Sequence, residues 1–132
     1  MKILEKVTKE VIRDLIHKNE IELSPTHKKL CVPIIGRIFR KMSVGVEFPG
    51  IKVEHTIICD GHHRYLASLL ANFAIERIPA TSTSATTVVD WKLVVFEEED
   101  WDTEAEIKML NEQDARYNNL AIEKLVELLD KL

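Results

Sequence analysis

One eight-residue run, Cys59-Asp60-Gly61-His62-His63-Arg64-Tyr65-Leu66, restricts the fold more than any other part of the chain. The apolar stretch His55-Thr56-Ile57-Ile58 before it reads as a strand, and the residues from Tyr65 to Phe73 after it carry apolar positions at helical spacing. A strand passing into a helix at this point aims backbone N–H groups and the positive end of a helix dipole at one spot. A glycine, two imidazoles and a guanidinium placed there make an anion site, with phosphate the best match. Plain structural roles stand beside this reading: Gly61 as a turn glycine, Asp60 as a helix N-cap, either histidine as a packed or solvated side chain. Successive turn residues point in different directions, so His62 and His63 are expected to do different jobs.

A chain of 132 residues fits a single domain over 1–132 with a real core, here expected as a central part at 20–80 and C-terminal helices at 102–132. Hydrophobic residues make up 45% and charged residues 30%, ordinary for a soluble globular protein. No stretch approaches the ~20 apolar residues of a membrane span. The start, Met1-Lys2-Ile3-Leu4-Glu5-Lys6, runs directly into a charged amphipathic pattern without a signal-peptide core, so a cytoplasmic location and no membrane contact are expected. Cys31 and Cys59 are too few and too far apart for a disulfide framework or a four-cysteine zinc site. His62, His63, Cys59 and Asp60 are all ligand types, but neighbours in one tight turn do not converge on a tetrahedral metal, so no metal ligand set is assigned.

Charge is uneven. Residues 1–66 hold 12 Lys/Arg against 8 Asp/Glu, and residues 67–132 hold 6 against 14. The acidic half argues against a general nucleic-acid binder. It fits a small anionic ligand bound in the basic half, or a protein partner engaged through the acidic C-terminal helices.

Along the chain, Leu4, Val7, Val11, Ile12 and Leu15 share a helix face. Glu20-Ile21-Glu22-Leu23 reads as a short strand, and residues 28–42 as a second amphipathic helix with Pro33 in its first turn. Short strands follow at 51–53 and 56–59, then the helix after the eight-residue run at 62–74, an extended Ile78-Pro79-Ala80 and a polar connector at 82–87. Val88 to Glu97 is the strongest strand pattern, with Trp91 inside it. Asp102 or Thr103 can cap a helix reaching about Tyr117, and a last helix at 120–132 carries a leucine stripe fit to cover a sheet or form a homodimer. Trp101 falls in an acidic loop and is expected to be exposed. The sum is an α/β (α+β) domain: a small mixed sheet with helices around it and a helical extension.

From about Glu20 to Ala80 the chain resembles the ParB/sulfiredoxin-like superfamily. It has the same order of Leu-Ser-Pro, helix, Gly/Pro loop, Ile-x-Val, strand, Asp-Gly-His-His-Arg-Tyr-Leu-Ala, helix and Ile-Pro-Ala. The resemblance implies that Gly61, His62, His63 and Arg64 form a phosphate pocket for a nucleotide. The Asp-Gly-His-His-Arg form is most similar to members that handle ATP or ADP, including free-serine kinases, with CTP a further option. Sulfiredoxins have cysteine where His62 stands, which argues against sulfinic acid reduction. The partitioning proteins carry Gly-Glu-Arg-Arg and a following helix-turn-helix, which are absent here. The kinase branch also implies an acidic general base near the first strand, for which Glu20 and Glu22 are the candidates.

Phosphoryl transfer needs charge neutralisation and positioning above all. Arg64 can clamp phosphate oxygens, and the amides of Gly61 and His62 can add donors. His62 or His63 can donate a hydrogen bond or act as acid or base. Asp60 can hold Mg²⁺ or orient a histidine. The expected function is therefore nucleotide or phosphate binding, as a phosphotransferase or NTPase. The alternatives are a nuclease, since some members of this fold cut DNA, or a non-catalytic immunity or regulatory protein.

Overall fold

The computed structural model describes residues 6–132. Thr8 opens helix α1 (Lys9–Lys18) by accepting the Val11 N–H, and the helix buries Ile12 and Ile16. Leu4, expected on this face, lies outside the described residues.

The expected strand at Glu20–Leu23 does not form. Its end is claimed by side chains: the Leu23 N–H donates to the Tyr65 hydroxyl and the Leu23 carbonyl accepts the Trp91 indole N–H. With those backbone groups taken, strand pairing shrinks to a single parallel bridge, Ser24 to Ile57. The next helix also starts later than its apolar spacing predicts. Residues Lys29–Cys31 pair as strand β1, and only then does helix α2 (Val32–Ser43) begin, with Pro33 in the turn where its missing N–H costs nothing.

Strands β2 (Ile51–Glu54) and β3 (Ile57–Asp60) form an antiparallel hairpin, turned by His55 in a left-handed conformation. Helix α3 (His62–Ala71) follows β3 directly and packs against α2. Strand β4 (Arg77–Pro79) then runs parallel to β2, giving the order β3-β2-β4. The long strand expected from Val88 to Glu97 is broken. The Asp90 carboxylate accepts the Lys92 N–H and caps a 3-10 turn at Trp91–Leu93, which drives Trp91 into the core. Only β5 (Val95–Glu97) remains as strand, parallel to β1 in a separate two-stranded sheet. Among the described residues this is a mixed α/β fold with five helices and two small sheets.

The main core lies between α1, α2, α3 and the sheets, where Leu23, Leu30, Ile35, Ile51, Ile58 and Leu66 are fully enclosed. Helices α4 (Glu104–Tyr117) and α5 (Ile122–Asp130) do not cover the sheet, as their leucine stripe allowed. They close a second, smaller core in which Ala115 and Leu125 meet Val46 from the segment after α2, with Phe48, Leu120, Ile122 and Leu129 around them. Thr103 and Glu106 form a reciprocal capping box at the start of α4. No helix among the described residues is long and apolar enough to cross a membrane.

The basic face of α2 is tied to the acidic C-terminal half within the chain. Arg37 binds both oxygens of Asp100 and also Asp102, Arg40 donates to the Leu129 carbonyl, and Lys41 meets Asp114 at 2.6 Å. Lys41 is only 4% exposed, and Asp114 is the carboxylate paired with it. Asp114→Ala is expected to destabilise the protein by ~3 kcal/mol in urea unfolding at neutral pH, because it strands a buried ammonium. Replacing the pair together, Lys41→Met with Asp114→Leu, should recover most of that loss. A single-variant cost below ~0.5 kcal/mol would mean that Lys41 behaves as a surface cation.

Candidate functional site

The turn from β3 into α3 is built on Gly61, whose φ of 98° lies in the left-handed region. A Cβ at this position would stand 2.6 Å from Ile51 Cγ2 and 2.9 Å from an Arg64 guanidinium nitrogen. Only glycine allows β2 and the arginine to close in on the turn. Gly61 is the N-cap, it offers no side-chain acceptor, and no acidic residue follows in the first helical turn. The first amide drawn into the helix is that of Tyr65, which donates to the Gly61 carbonyl at 2.9 Å. The N–H groups of His62, His63 and Arg64 therefore have no intrahelical acceptor. Asp60 is not the cap. Its carboxylate is largely solvent-exposed and lies 3.7 Å from Arg64.

The two histidines diverge, as successive turn residues should. His62 turns inward and is 2% exposed. Its Nε2 accepts the Thr26 N–H at 2.9 Å, and its ring stacks on His27 with centroids 4.0 Å apart. Burial, followed by the neighbouring His27 and His63, pushes its pKa down to about 3. His63 turns toward β1, where its Nε2 accepts the Cys31 N–H at 3.0 Å and its ring meets Trp101 edge to face at 5.5 Å. Burial, then His27 and Arg64, bring its pKa down to about 4. Both rings are thus neutral near pH 7 with Nε2 occupied as an acceptor, which leaves the ring proton on Nδ1. Neither is poised as a proton acceptor through Nε2. His62 Nδ1 and Arg64 Nε are both buried and without a partner. Arg64 also donates through Nη2 to the Gly50 carbonyl at 3.3 Å, which holds it along the turn.

Thr26 and His27, which touch His62, line a polar cleft of about 570 Å³ together with Lys28, Cys59, Thr83 and Thr86, and no residue of the Gly61–Arg64 turn lines it. The Ser/Thr run at 82–87, which composition marks only as a connector, supplies Thr83, Thr86 and Thr87 to this cleft. Its density of hydroxyls was the signal that it lines a polar site. A hollow of similar size, about 590 Å³, lies away from the turn, between the start of α1 and α2. Glu22 is held by Arg77 through two hydrogen bonds of 2.9 and 3.1 Å, which lower its pKa. Glu20 is exposed. Asp60 is thus the one candidate carboxylate with a direct contact to the turn. Cys31 is buried and Cys59 half-buried, both as free thiols. Compared with known proteins, the chain matches no family model, no curated protein and no solved structure.

The depressed histidine pKa values set a pH dependence. In the unfolded chain His62 and His63 titrate near 6.5, so as pH falls below that value the unfolded state takes up protons that the folded state refuses. Stability is complete above pH 6.5 and declines toward the folded values of about 3 and 4. Between pH 6.5 and roughly 4.5, above the carboxylate range, this loss belongs to the histidines. Urea midpoints measured across that interval should fall, and His62→Phe should flatten the slope. An unchanged slope in that variant would mean that His62 titrates freely.

Proposed function

We propose that the chain binds the phosphate groups of a nucleotide, ATP or ADP, at Gly61–Arg64 and acts as a nucleotide-dependent phosphotransferase or NTPase. The observation that carries this reading is the uncapped start of α3, with buried and unpartnered donors beside it at His62 Nδ1 and Arg64 Nε. An anion seated at the turn would accept from the free helix amides, with the two unpartnered donors adding positive potential behind them. Arg64 uses Nη2 on Gly50, so Nη1 is left to face phosphate oxygens. The cleft next to His27, with Lys28 and several hydroxyls, has room for a small acceptor.

In this reading Asp60 is the working carboxylate. It lies at the rim within reach of Arg64, where it would carry Mg²⁺ directly or through water, or accept the proton of an acceptor hydroxyl. Glu22 is engaged with Arg77, and Glu20 lies outside the contacts of the turn, so both rank below Asp60.

Calorimetry with ADP, ATP and CTP, with and without Mg²⁺, tests the reading. Arg64→Ala should lower nucleotide affinity roughly 100-fold while leaving the thermal transition in place. Asp60→Asn should cut turnover ~100-fold or more with little change in affinity, whereas Glu22→Gln should not. Equal affinity of wild type and Arg64→Ala would remove the turn from the site. Strong loss of turnover in Glu22→Gln would return the base to the segment after α1.

A further inference from the structure

We infer that Trp101 is the platform on which the nucleobase of the bound nucleotide stacks, a deepening that rests on the phosphate site proposed above. Trp101 is 45% exposed, although it is the residue type that gains most from burial. It is also fixed in place. Its indole N–H donates to the Glu97 carboxylate at 3.0 Å, and its ring meets the His63 ring edge to face. The loop that carries it is anchored on both sides, by Arg37 on Asp100 and Asp102 and by the Cys31 thiol on the Glu99 carbonyl. An exposed aromatic held rigid at a binding turn meets a planar partner with little ordering cost.

Charge assigns the two ends of the ligand. The turn at Gly61–Arg64 is rich in donors, whereas the Trp101 loop carries Glu97, Glu98 and Glu99. Phosphates are repelled from that loop, so the uncharged end of a nucleotide is the part that fits against Trp101. His63 belongs to the phosphate turn and touches Trp101, which makes the two sites adjacent. The other tryptophan, Trp91, is buried with its indole N–H on Leu23 and is not available to a ligand.

Binding of ADP and of pyrophosphate to wild type, Trp101→Ala and Trp101→Phe separates base from phosphate. Trp101→Ala should weaken ADP on the order of tenfold and leave pyrophosphate unchanged, with Trp101→Phe between alanine and wild type for ADP. Unchanged ADP affinity in Trp101→Ala, or a phenylalanine variant no better than alanine, overturns the assignment. Equal losses for ADP and pyrophosphate also overturn it, since Trp101 would then only prop His63. If wild type binds neither ligand, the phosphate site itself fails and this inference falls with it.

Discussion

The close approach of β2 to the turn at Gly61 is the constraint from which the rest of the centre follows. Ile51 leaves no space for a Cβ, and the left-handed φ brings β3 into α3 without an intervening loop. With the turn that tight, His62 and His63 must leave it on opposite sides. Each ring then accepts a backbone N–H from a different part of the preceding chain, Thr26 for one and Cys31 for the other. The same two hydrogen bonds that hold the 24–31 segment over the turn also orient the rings, and burial keeps them neutral.

A second level of organisation is electrostatic. The basic face of α2 would be a surface patch in isolation. Arg37 and Lys41 instead receive carboxylates from the 97–102 loop and from α4, and Lys41 is drawn almost wholly out of water. Buried charge of this kind is tolerated only when paired with good geometry, so it fixes where the C-terminal part docks more than it adds to stability. That docking brings Trp101 beside His63, which links the C-terminal region to the turn.

How much of this was legible beforehand depends on the range of the interactions involved. The β3–turn–α3 unit and the capping of α4 by Thr103 are local: glycine conformation, apolar spacing and a reciprocal cap act within a few residues. The strand expected at Glu20–Leu23 and the long strand from Val88 failed for a shared reason. Trp91 donates to the Leu23 carbonyl across 68 positions of sequence, which removes one backbone acceptor from pairing and pulls the Trp91 turn inward. No local pattern records such a bond.

The residues of the turn, their donor chemistry and the mixed α/β character were thus determined by the sequence itself, because periodicity and glycine act on neighbours. The tertiary structure decided which histidine is buried, that both are neutral with Nε2 occupied, that Glu22 belongs to Arg77, and that Asp60 alone of the candidate acids touches the turn. Those outcomes depend on desolvation and on partners brought from distant positions, and both exist only once the chain has closed around them.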